Sequence, residues 1–142
     1  MTTPNKTIYP FAEMFEVDTD GTTAVEVWKI PAGTAITMVL MRIGVAGAGA
    51  GGSVIVGDND DDNGFILAGL FCGGTVGTIF GDAITERGDY LNATGGAAAT
   101  STHAGKWKVY TDATKSIYID CDTDMTTEAT VQVFIFGYRY YS

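Results

Sequence analysis

No segment of this chain carries a long run of Leu, Glu, Lys and Ala at helical spacing. That absence constrains the fold more than any motif does, because parallel strands need crossovers of a dozen residues or more, usually helices, to connect them. Strands here must pair antiparallel through turns. The chain is rich in Thr, Val and Ile and contains 19 glycines, the mixture of β-branched residues and punctuation expected of short strands. These recur about every ten residues, a spacing that points to a two-sheet sandwich or barrel. The expectation is one all-β domain over residues 1–142, a jelly-roll-like antiparallel β-sandwich with very little helix. Residues 1–20 are open to reading as an N-terminal arm.

Individual segments sharpen this. Residues 24–30 read as a strand that Pro31-Ala32-Gly33 ends with a turn. Residues 34–45 are apolar on both alternating sets, Thr37/Val39/Met41/Ile43/Val45 and Ile36/Met38/Leu40, which suits a central strand covered on both faces. Residues 46–52 form a Gly-Ala tract, read as a loop or a place of close backbone approach. Residues 53–56 and 75–80 read as short strands, 65–71 as either strand or helical turns, and 92–105 as a long surface loop. Residues 106–110, 116–120 and 130–140 are three further strands. In the last, Val131, Val133 and Ile135 form one face, while Phe134, Phe136, Tyr138 and Tyr140 form the other. Both faces are expected to be covered, one by the core and the aromatic one by a neighbouring subunit, which makes those four aromatics the candidate interface. Tyr9, Phe11 and Phe15 suggest packing between the first and last strands. One internal echo, Asp18-Thr19-Asp20-Gly21-Thr22-Thr23 and Asp122-Thr123-Asp124-Met125-Thr126-Thr127, precedes a strand each time; a single pair is equally two turns of like chemistry.

Charge excludes several functions. Eight Lys and Arg against 17 Asp and Glu leave a net charge of −9, and no basic cluster occurs to neutralise phosphates, so neither nucleic acid nor an anionic membrane is an expected partner. Hydrophobic residues at 46% against 18% charged are too many for a disordered chain. Residues 1–10 lack the apolar stretch of a signal peptide, and the uncharged run 43–57 is mostly Gly and Ala, unlike the roughly 20 strongly apolar residues of a spanning helix. Cys72 and Cys121 lie far apart without CxxC spacing, and read as buried thiols.

Candidate chemistry is sparse. The acidic segment Asp58-Asn59-Asp60-Asp61-Asp62-Asn63-Gly64 reads as an exposed turn whose carboxylates Asp58, Asp60 and Asp62 form a candidate calcium site. Its register partly mimics an EF-hand loop, with Asn59, Asp61 and Asn63 at ligand positions before Gly64. The bidentate acid position falls on Leu70, however, and no helices flank the loop. His103 is the lone histidine, beside Ser101 and Thr102 in a loop, and reads as a surface residue. Nucleophile elbow, Walker and dinucleotide motifs are absent, so no catalytic residues and no cofactor are expected; an apposed carboxylate pair is the one enzymatic route the sequence leaves open.

The order of motifs Ile30-Pro31-Ala32-Gly33-Thr34, an apolar strand, Val54-Ile55-Val56-Gly57-Asp58, then Gly64-Phe65-Ile66, resembles the jelly-roll-like head decoration or cement proteins of tailed bacteriophages. Gly105-Lys106-Trp107-Lys108-Val109-Tyr110, Ser116-Ile117-Tyr118-Ile119 and the final Val, Phe and Tyr strand continue the pattern, so that the resemblance spans residues 24–140. The Gly-Ala tract has no counterpart in it. The resemblance implies a virion protein, made in the host cytoplasm, that binds the outer surface of the major capsid protein shell and stabilises it, with no catalytic residues. A homodimer or homotrimer is the expected state, since closed symmetry covers an exposed apolar face. The alternative is a carbohydrate-binding or receptor-binding jelly-roll module of a tail or fibre, with Trp28, Trp107 and the tyrosines stacking on sugars and the acidic turn holding calcium.

Overall fold

The computed structural model describes residues 7–19, 23–48, 52–70, 74–92, 107–121 and 128–141. Nine strands follow in order: β1 (Thr7–Asp18), β2 (Val25–Lys29), β3 (Thr34–Val45), β4 (Ser53–Asp58), β5 (Ile66–Leu70), β6 (Ile79–Phe80), β7 (Lys108–Tyr110), β8 (Ser116–Cys121) and β9 (Thr130–Tyr141). A single 3-10 turn, Ile84–Glu86, is the one helical element among the described residues. One sheet, here sheet A, runs β1-β9-β3-β6, with β7 pairing β3 beside β6; sheet B runs β2-β8-β4-β5. All pairings are antiparallel. First strand pairs with last and second with next to last, so the chain is folded as one long hairpin rolled into two sheets, the jelly-roll arrangement. The all-β antiparallel sandwich expected from the sequence is the observed architecture.

The core lies between the sheets. Sheet A contributes Ile36, Val39, Met41, Ile43, Val131, Val133 and Ile135, and sheet B contributes Val54, Val56, Ile66, Ile117 and Ile119, all with no exposed surface. Trp28 of β2 closes one flank against Phe11 and Phe15 of β1, at ring separations of 5.6 and 6.1 Å. At one end the chain passes from sheet A to sheet B at Thr19 and returns at Ala129. The Thr19 N–H and hydroxyl both donate to the Ala129 carbonyl, at 2.9 and 3.0 Å, and the hydroxyl accepts from the Ala129 N–H at 3.1 Å. Asp18 and Thr19 of the first copy of the internal echo therefore bond to Thr130 and Ala129, beyond the second; 20–22 and 122–127 are outside the described residues.

Several expectations are corrected. Residues 1–20 are not an arm over Thr7–Asp18, which forms a twelve-residue strand in register with β9 from Thr7↔Tyr141 to Asp18↔Thr130. Its edge position explains Pro10, because a strand with one free side tolerates a missing donor. Ile36 does not share a face with Met38 and Leu40. A bulge at Thr37, between the Ile36↔Gly137 and Met38↔Phe136 pairs, turns Ile36 into the core. A bulge between Glu26 and Trp28 likewise sets Trp28 opposite Ile117 on the inner face. The 75–80 segment is strand at Ile79–Phe80, after a turn with Gly77 at φ 94°, and 66–70 is strand rather than helix.

Candidate functional site

The outer face of sheet A is the candidate site. Its residues stand in rows across three strands, fixed by the register: Asp18–Thr130–Val45, Glu16–Gln132–Arg42, Met14–Phe134–Leu40, Ala12–Phe136–Met38, Pro10–Tyr138–Ala35, and Ile8 beside Tyr140. Beyond β3, Val109 of β7 continues the Tyr138 row. All four predicted interface aromatics, Phe134, Phe136, Tyr138 and Tyr140, lie on this face. The tyrosine end holds a cleft of about 290 Å3 lined by Ile8, Ala35, Trp107, Val109, Tyr138 and Tyr140. Trp107, 60% exposed, stacks on Tyr138 with ring centroids 5.4 Å apart. Ile8, Met14, Met38 and Val109 are also substantially exposed, and no residue in the four rows below Glu16–Gln132–Arg42 bears a formal charge. A contiguous uncharged surface in a chain of net charge −9 is the kind of patch that marks a contact with another macromolecule. In the Gln132 row the Arg42 guanidinium donates to Gln132 Oε1 at 2.9 Å, and the Gln132 amide donates to Glu16 Oε2 at 3.4 Å.

The sequence pointed to the β9 residues of this face and missed the rest. Ile8, Met14, Met38 and Val109 belong to strands distant in sequence, and only the pairing unites them. Alternation along 7–18 was the available signal, since its even positions face outward with the β9 aromatics.

The acidic segment is built differently from its sequence reading. Asp58 is not on the exposed turn; it ends β4 and is 4% exposed. Its Oδ1 accepts from the Tyr90 hydroxyl at 2.8 Å and from the Asp60 and Asp61 N–H groups at 2.9 and 3.1 Å, while Oδ2 accepts from the Tyr110 hydroxyl at 2.6 Å. Burial acts to raise the Asp58 pKa, but the hydrogen bonds from Tyr110, the Asp60 N–H, Tyr90 and the Asp61 N–H outweigh it and hold the carboxyl below its ordinary value. Burial and the same carboxylate push the Tyr90 and Tyr110 hydroxyls well above the usual phenol range. The Lys108 ammonium sits 4.1 Å from the Tyr90 ring centroid. Gly57 lets the turn fold back over β4, because a Cβ there would collide with the Asp61 carbonyl oxygen.

The proposed calcium ligands are thus separated in role. Asp58 is taken up by four donors, Asp60 pairs with the Lys115 ammonium at 2.7 Å, and Asp62 is exposed. Among the described residues no three His, Cys, Asp or Glu side chains gather as metal ligands. His103, Cys72 and most of the 92–105 loop lie outside the described residues, as do 49–51 of the Gly-Ala tract. Cys121 is the last residue of β8. No helix of the described residues is long and apolar enough to cross a membrane.

Protein-family models and curated protein sequences yield no match to this chain. Solved structures do match. A chain of the "Cyanophage Pam1 capsid asymmetric unit" superposes with a TM-score of 0.54 at 14% identity, covering 98% of this chain and 92% of that one. A chain of the "Acidic stable capsid structure of Helicobacter pylori bacteriophage KHP30" superposes with a TM-score of 0.50 at 14% identity, covering 97% and 99%. The likeness is one of fold, running nearly end to end over chains of closely similar length.

Proposed function

We propose that this chain is a structural protein of a bacteriophage virion, a cement or decoration protein that seats on the outer surface of the major capsid protein shell and stabilises it. The observation that carries this reading is the near end-to-end likeness to chains of two phage capsid structures, in which almost nothing of either partner chain is left over. The order of sequence motifs from Ile30 to Tyr140 supports it independently. A small acidic sandwich also suits the task physically, because many copies on a repeating surface stabilise an assembly even when each contact is weak. The reading assigns the chain no catalytic role and no cofactor. Its test is to count this chain against the major shell protein by quantitative mass spectrometry of density-banded particles. The expected ratio is a simple fraction of the shell subunit; a handful of copies per particle, or none, overturns the decoration role.

A receptor-binding or carbohydrate-binding module is the second reading, and one feature favours it: the exposed Trp107–Tyr138 stack. The Trp28 half of that expectation is removed, since Trp28 packs against Phe11 and Phe15 between the sheets. Glycan-array binding that is lost on Trp107→Ala would establish this second reading, and silence across the array would discard it.

A further inference from the structure

We infer that the outer face of sheet A is the contact between two copies of this chain, related by a twofold axis that runs along β9. Consider the rows in such a pair. An axis parallel to the strands and lying in the interface keeps each row at its own height and exchanges left for right, so that β1 of one copy faces β3 of the other. In the Gln132 row this sets Glu16 opposite Arg42 of the partner subunit, and Arg42 opposite the partner subunit's Glu16, with Gln132 on the axis between them. The one anion and one cation of that row are placed symmetrically about Gln132, which already links them within a copy. The same exchange matches sizes in the uncharged rows: small Ala12 faces the partner's Met38, which is long, and Met14 faces the partner's Leu40. An in-plane axis perpendicular to the strands would instead set β1 over β1 and β3 over β3, so that Glu16 would never meet the partner subunit's Arg42.

Charge also says why a second copy occupies this face. Two chains of net charge −9 repel, and the four uncharged rows are where they approach with least opposition. Area is of the right order: the rows of this contact span β9 from Gln132 to Tyr140, and at about 3.3 Å per residue and 4.8 Å per strand the three-strand footprint is about 430 Å2 per copy. Two such faces come to about 860 Å2, close to the roughly 1,000 Å2 that separates specific contacts from incidental ones. Aligned sheets cross at about 30°, a lateral offset that the long Glu16 and Arg42 side chains span.

The experiment is light-scattering chromatography and sedimentation of the full chain, without shells, so its outcome is separate from that of shell decoration. The expected result is a dimer for the natural chain, at least tenfold weaker association for Glu16→Arg and for Arg42→Glu, each of which opposes like charges, and recovery in the double variant E16R/R42E. Met38→Asp should give a folded monomer, with folding checked by circular dichroism. A monomer up to about 1 mM, the weak limit of specific association, overturns the inference. So does a trimer, a dimer indifferent to Met38→Asp, or a double variant as weak as the single ones.

Discussion

Asp58 shows how much one side chain can organise. Its carboxylate ties the end of β4 to β7 through Tyr110, to the 88–92 turn through Tyr90, and to its own turn through two backbone N–H groups. Hydrogen bonds to a charged acceptor contribute about 1.5–3 kcal/mol each in mutational series, and a buried donor left unpaired is destabilising. Tyr110→Phe should therefore cost about 1.5–3 kcal/mol in urea unfolding at neutral pH, and Asp58→Asn a comparable amount or more. The pH dependence follows from the sign of the shift. The folded-state pKa of Asp58 lies below its unfolded value, so its stabilisation is fully present above about pH 4 and is lost as pH falls through the lower, folded value. The stability gap between the natural chain and Asp58→Asn should accordingly be wide at pH 7 and narrow toward pH 2. An equal gap at both would refute the assignment.

Among the elements, β1 carries the sharpest consequence. It is an edge strand on one side and paired along its whole length to β9 on the other, with Phe11 and Phe15 reaching across to Trp28 of sheet B. Removing residues 1–18 would strip the cover from one edge of β9 and open the core beside Trp28, whereas removal of an arm would leave the sandwich intact. The expected outcome is an insoluble or unfolded product, measured by soluble yield and amide circular dichroism. A soluble, cooperatively melting 19–142 fragment would return these residues to the status of an arm. At this scale bulges decide orientation. Because side chains alternate with a period of two, one extra residue at Thr37 or beside Glu26 reverses the side on which every preceding residue stands. Ile36 is a core residue, and Trp28 packs half-buried against the core, for that reason.

At the scale of the whole molecule, the two sheets act as one cooperative unit, since the core side chains of each are covered by the other. The two tryptophans report on this separately, Trp28 from between the sheets and Trp107 from the outer face of sheet A. In the folded chain iodide should quench Trp107 more strongly than the half-buried Trp28, as read on the single-tryptophan variants Trp28→Phe and Trp107→Phe. On unfolding, the Trp28 emission shift should coincide with loss of the β-sheet circular dichroism signal, as two-state behaviour requires. Emission that moves before the sheets melt would mean the β1–β2 flank opens on its own.

Strand composition, turn chemistry and the lack of helical spacing were enough to read an antiparallel sandwich, place β3 and nearly all of β9, and single out Phe134, Phe136, Tyr138 and Tyr140 as one face. These properties are local: period-two alternation and turn residues act within a few positions of the chain. Other features depended on partners distant in sequence. Asp58 reads as one more acid in an acidic turn until Tyr90 and Tyr110 are brought to it, and Trp28 reads as a surface aromatic until a bulge turns it inward. The outer face of sheet A exists only once β1, β3, β7 and β9 lie side by side. Register and bulges are settled by how two sheets bury their apolar faces together, a balance over the whole molecule that no single segment encodes.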